Sequence, residues 1–189
     1  MSAPSAGDEV VITEYDSRWP AAYEREKALI CQALGDLILD IQHVGSTAVP
    51  GLVAKPVIDI LVAVAHFEAV EGYARRLSPL GYQHISHPDD AVRLFFRKGT
   101  PRTHHLHIVE YGTAEHRRHL LFRDYLRLHG DTARAYARLK WELASRFAAN
   151  RPMYTESKTD FVHSVVAMAE RERIVNGSEP MPPAQHCRE

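Results

Sequence analysis

Three short stretches of this chain carry residue types that can do chemistry. At His43-Val44-Gly45-Ser46-Thr47 an alternating run ends in glycine and serine. Glycine lets backbone N–H groups approach a phosphate closely, and hydroxyls add donors, so this turn suits an anion. Thirteen positions after Ser46, Asp59 interrupts the apolar run Val57-Ile58-Asp59-Ile60-Leu61-Val62-Ala63-Val64. A carboxylate inside such a strand is expensive without a partner. In a site it holds a divalent cation that bridges phosphates. The third stretch is Thr103-His104-His105-Leu106-His107, in a chain that holds 12 histidines.

These residues need elements to position them. Segment 39–44 alternates and reads as a strand, and 57–64 is the strongest strand, β-branched and central. Further strands are expected at 10–12, 82–85, 91–97 and 103–110. Pro20 suits a first helical position, and apolar spacing carries that helix to Leu34 before Gly35. A second helix is expected from Phe67 to Leu77. After Gly112 everything reads as helix, over 114–129, 131–149 (Asp131 as its N-cap) and 157–173. Phe122, Tyr136, Trp141 and Phe147 read as core.

Strand alternation sorts the site. Ile58, Ile60 and Val62 fall on one face with Asp59 and Leu61 opposite; Leu106 and Ile108 fall opposite His105 and His107. If both strands share a sheet, Asp59, His105 and His107 share its open face. Two imidazoles and a carboxylate suit Zn²⁺ or Mn²⁺ better than Mg²⁺. The expectation is a divalent metal on Asp59, His105 and His107, with His43 and His104 in an outer shell.

The longer text around these residues resembles the GrpB family. It runs His43-Val44-Gly45-Ser46-Thr47-Ala48-Val49-Pro50-Gly51-Leu52, Lys55-Pro56 and Ile58-Asp59-Ile60. It continues through Gly81-Tyr82, His104-His105-Leu106-His107-Ile108, the segment 119–127 and Leu139-Lys140, covering about 10–172. The resemblance implies the nucleotidyltransferase fold of the DNA polymerase beta superfamily: α/β, a small mixed sheet with helices on one face and a C-terminal helical segment over the other. It further implies a nucleotide or phosphorylated small molecule as ligand and a divalent cofactor (Mg, Mn or Zn). The site so implied is Gly45, Ser46, Thr47, Lys55, Arg123 and Lys140 for substrate, with Asp59 and His107 catalytic.

One departure matters. The superfamily usually presents a second acid two residues after the first, and here Leu61 stands there. The leading expectation is metal-dependent transfer of a nucleoside monophosphate to a small acceptor. A non-catalytic nucleotide-binding module and a transition-metal hydrolase are the alternatives. There is no GxxxxGK[ST] phosphate loop, which excludes a kinase of that kind.

Bulk properties set the frame. With 189 residues, 45% hydrophobic and formal charge −1, the chain has the make-up of one globular domain and no global field for nucleic acid. Its boundaries are expected at 10–173, with a flexible start (1–9) and a disordered tail (174–189). No apolar stretch reaches the roughly 20 residues of a membrane span. Cys31 and Cys187 lie far apart, which reads as no disulfide framework and a cytoplasmic home. The bland readings are concrete too: Arg93 and Arg97 as the wet face of a strand, and Arg123 as a helix ion pair.

Overall fold

The computed structural model describes residues 10–175 and Cys187. The expected flexible start, and the tail apart from Ile174, Val175 and Cys187, lie outside the described residues.

Five strands form one mixed sheet in the order β1-β2-β5-β4-β3: β1 Asp40–Val44, β2 Ile58–Val64, β3 Tyr82–His84, β4 Leu94–Lys98 and β5 His104–Glu110. β2 and β5 pair in parallel, and every other neighbour is antiparallel. Helices α1 (Trp19–Leu34) and α2 (Val70–Leu77) cover one face. There Ile58, Ile60, Val62, Leu106, Ile108 and Phe96 meet Tyr23, Ile30, Leu34, Tyr73 and Leu77 in the main core. These side chains follow the period of two in the strands and the helical period in α1.

The opposite face carries a shorter apolar strip. Val44, Leu61, Ala63 and Val109 are closed over by Leu120 of α3 (Ala114–Leu128). α4 (Gly130–Arg146), α5 (Arg151–Glu156) and α6 (Thr159–Val175) follow, and Leu126, Tyr136 and Val165 join α3, α4 and α6 with Val49 and Leu52. Where the apolar strip stops, at the Asp59 end of β2, this helical layer stands off the sheet and a cavity opens.

Several expected elements change. Residues 10–12 are not a strand: Val10 donates to the Ala148 carbonyl and only Thr13 makes a bridge, to Ala54. β4 begins at Leu94 because Pro88–Ala91 coil into a short turn. Asp131 does not cap α4; it lies inside the helix and pairs with Arg134. The expected last helix is α6, and a further short helix, α5, opened by Pro152, fills the segment between it and α4 where none was expected. Trp141 is 45% exposed, so it leaves the core set. Cys31 and Cys187 form a disulfide, against the expectation of two unpaired thiols.

Candidate functional site

The register of the sheet brings the chemistry together. Asp59 pairs across to His105, and Leu61 to His107; on the next strand Arg97 faces His105 and Phe95 faces His107. Asp59, His105 and His107 therefore share the face opposite the main core. Gly45 follows β1 with φ +70°, a conformation glycine adopts freely. A Cβ at Gly45 would lie 2.3 Å from Asp59 Oδ2. The glycine is required twice, by its backbone angle and by the carboxylate packed against it.

Asp59 is ionised and oriented. His105 Nδ1 donates to its Oδ1 at 2.9 Å. Burial pushes this carboxyl up, but the His105 hydrogen bond, helped by Lys55, wins and holds it at about 2. With Asp59 charged, the shared proton sits on His105 Nδ1, which leaves Nε2 buried and without a partner among the described residues. His107 is held well below its ordinary value, first by burial and then by neighbouring His119, so it is neutral. Its Nδ1 also lacks a partner.

The expected three-ligand metal site is not formed. Among the described residues no group of three or more His, Cys, Asp or Glu side chains is arranged to hold a metal ion. His105 spends its Nδ1 on Asp59, and the His107 ring stacks on Phe95 and tilts against His119. His43 and His104 belong to no outer shell, because alternation sends both to the other face. His43 stacks on Tyr23, and His104 lies 3.8 Å from Glu26 of α1. What remains is one carboxylate. That fits a single hard cation shared with a substrate's phosphates, as Mg²⁺ is commonly held, and does not fit a carboxylate pair.

Above Asp59 lies a cavity of about 830 Å³. Its lining holds seven arginine and lysine side chains against two carboxylates, Asp59 and Glu156. Gly45, Ser46, Thr47, Lys55 and Lys140 all line it, as does His107. Lys140 Nζ donates to Ser46 Oγ at 3.1 Å and to the Val53 carbonyl, so α4 clamps the Gly45-Ser46 turn. The Thr47 hydroxyl is already used: it lies 3.0 Å from His43 Nε2 and donates to the Val57 carbonyl. Lys55 and Lys158 lie 4.5 Å and 4.2 Å from the Tyr154 ring centre. Burial, then the charge of Lys158, pulls Lys55 and Lys140 down to about 7; Lys158 falls to about 8, mainly by burial. Three desolvated lysines facing one space suit an anionic ligand, which would restore their charge.

Arg123 is a correction. It is buried behind β1, where it donates to Gln42 Oε1 and the His43 carbonyl and forks onto Asp124. It holds α3 to the sheet and does not line the cavity. Beside it, His116 accepts from Gly112 N–H and donates to Asp40, whose other oxygen takes Gln42 Nε2. The residues that went unassigned are Arg93, Phe95, Arg97, Arg102, Arg151 and Lys158, all in the lining. The period-two spacing of Arg93, Phe95 and Arg97 was the available signal. Arg102, Arg151 and Lys158 come from a loop, the start of α5 and the turn before α6, which only tertiary structure brings near.

Residues 9–168 match the family described as "GrpB protein". The chain belongs to the GrpB family. A GrpB relative from Bacillus subtilis (strain 168), UPF0157 protein YqkA, is 37% identical over 163 residues, 86% of this chain and 48% of that protein. The chain thus spans about half the length of that relative. The crystal structure of conserved protein GrpB from Enterococcus faecalis superposes with a TM-score of 0.81 at 34% identity, covering 87% of this chain and 99% of that one. The Cid1 poly(U) polymerase, solved with Mg and 3'-dATP, has a TM-score of 0.51 at 14% identity over 77% of this chain and 49% of its own. At that identity the likeness is one of fold: this GrpB chain has a nucleotidyltransferase-like fold.

Proposed function

We propose that the cavity binds a nucleoside triphosphate and that the protein transfers its nucleoside monophosphate to a small acceptor. The observation that carries this reading is the Gly45 backbone packed on the ionised Asp59 at the floor of a cation-lined cavity. Ser46, Lys140 and Lys55 take the phosphates, and Lys158 adds charge from α6's approach. A magnesium-class cation held by Asp59 and the substrate phosphates would draw charge off the attacked phosphorus. The acceptor oxygen forms a bond to the α-phosphorus, the α–β bridging bond breaks, and pyrophosphate leaves with its charge met by the lysines. Neutral His107 takes the proton lost by the acceptor. His105 keeps Asp59 ionised and oriented.

A second reading is supported by Leu61, which is 1% exposed beneath α3 where a second acid would stand. On that reading the chain binds the nucleotide or a phosphorylated metabolite without turnover. Incubation with each nucleoside triphosphate and Mg²⁺, Mn²⁺ or Zn²⁺ separates the two. Pyrophosphate release that is lost in Asp59→Asn supports transfer. Calorimetric binding that survives without pyrophosphate release supports the module, and the absence of nucleotide binding at any metal sinks transfer and leaves only a module for a phosphorylated metabolite. Release of inorganic phosphate alone points to a hydrolase on the same scaffold.

A further inference from the structure

The cavity has two chemically different ends. Lysines and tyrosines from α4, α5 and α6's approach gather at the Gly45-Ser46 turn, over the β1–β2 side of the sheet. On the other side of Asp59, β5 and β4 present His105, His107, Phe95 and Arg97, joined by Arg93 just before β4, with no carboxylate among these wall residues. β4 lies two strands from β2, about 10 Å at ordinary strand spacing. That is far enough for a second ligand.

This wall holds three buried polar atoms without a hydrogen-bond partner among the described residues: His105 Nε2, His107 Nδ1 and Arg93 Nε. Such atoms are rare in folded proteins and call for a partner, be it water, an ion or a ligand. Arg93 is only loosely matched by its acids. Asp89 and Glu115 are both 3.8 Å from it, and Glu115 is taken at 2.6 and 2.9 Å by Arg118. A guanidinium so placed can fork onto a carboxylate or phosphate. His107 stacks on Phe95 in this wall, and its unused Nδ1 can hydrogen-bond a ligand's hydroxyl.

We infer that the β4–β5 wall is a second subsite, built for a small hydroxylated molecule bearing an oxyanion, whose anion meets Arg93 and whose hydroxyl meets His107. In the transfer reaction proposed above, on which this assignment of role rests, the occupant is the acceptor. The wall distinguishes such a molecule from a neutral acceptor, which would leave Arg93 unanswered.

The test uses the full chain, saturated with a non-hydrolysable nucleoside triphosphate, and titrates inorganic phosphate and, separately, glycolate. Binding of either probe should persist beside the nucleotide. It should weaken at least tenfold in Arg93→Gln and by less than about threefold in Arg93→Lys, while nucleotide affinity stays within about twofold. Far-UV circular dichroism and the urea midpoint of both variants identify any loss that comes from unfolding. Lys140→Met should do the reverse, weakening nucleotide and sparing the probes. Probes that compete fully with nucleotide, or that bind Arg93→Gln as they bind the parent, overturn the subsite. If no nucleotide binds but probe binding still depends on Arg93, the subsite stands and the nucleotide reading fails.

Discussion

At Gly45 the backbone itself is part of the site, and that can be measured against a neighbour. Gly51 also has positive φ, +76°, but nothing lies within 4 Å of a Cβ built there. Gly51→Ala should therefore show conformational strain alone, about 1 kcal/mol. Gly45→Ala adds a collision with Asp59 and should cost about 1–2 kcal/mol more in urea unfolding. It should also weaken nucleotide binding at least tenfold, while Gly51→Ala binds normally. Equal losses in the two would remove the special role of the Gly45–Asp59 contact. The lysines give a second residue-scale prediction. Lys55 and Lys140 fall to about 7 and Lys158 to about 8 in the fold, against 10.5 for an ordinary lysine. Between those values the unfolded chain binds more protons than the folded one, so stability from this cluster rises as pH climbs from about 7 towards 10. Polyanion binding runs the other way, since it needs the protons. Nucleotide affinity should fall by at least about tenfold from pH 6.5 to 8.5, an average of about half a coupled proton or more over that interval. In Lys140→Met that slope should flatten.

At the scale of elements, Leu61 explains why no second acid stands beside Asp59. The two point to the same face of β2, but Asp59 opens on the cavity while Leu61 lies under Leu120 of α3. Installing a second acid as Leu61→Asp buries an unpaired carboxylate in an apolar strip, which should cost about 3–5 kcal/mol and yield no new metal affinity. Urea unfolding and calorimetry with Mg²⁺ check the two halves; a stable variant that gains metal would show that α3 yields easily. The same strip marks the limit of what the sequence made legible. Period-two alternation sufficed to put Asp59, His105 and His107 on one face, because β2 and β5 are central and regular. Whether those side chains converge on a metal depends on side-chain direction, and His105 turns to Asp59 while His107 turns to Phe95 and His119. Arg123 misled for a related reason. A charged residue on a helix reads as surface or site, whereas here its guanidinium is buried among Gln42, the His43 carbonyl and Asp124. The three long helices of this layer were legible in the apolar spacing, but the six-residue α5 was not, since so short a helix opened by Pro152 carries too few turns to show a period.

Over the whole molecule, the covalent tie between Cys31 and Cys187 is the feature that sequence spacing hid most completely. The two are 156 positions apart, yet both pack against the main core on the α1 side of the sheet. The cavity opens on the opposite face, so the tie and the site are separated by the sheet. No helix among the described residues is long and apolar enough to cross a membrane, but the expectation of a cytoplasmic home leaned on unpaired cysteines and loses that support. A bond that closes nearly the whole chain restricts the unfolded state strongly, and bridges of this kind contribute about 2–4 kcal/mol. Protein purified without reductant should therefore show no free thiol by thiol titration and two after reduction. Reduction should lower the unfolding free energy by about 2–4 kcal/mol. Cys31→Ser should match the reduced protein and show no further response to reductant. Nucleotide affinity should stay within about twofold across all three forms, since among the described residues the bridge packs on the main core and the cavity lies across the sheet from it. Two free thiols in unreduced, folded protein would remove the bond from the native state. A large change in affinity on reduction would instead mean that the sheet transmits the state of the α1 face to Asp59.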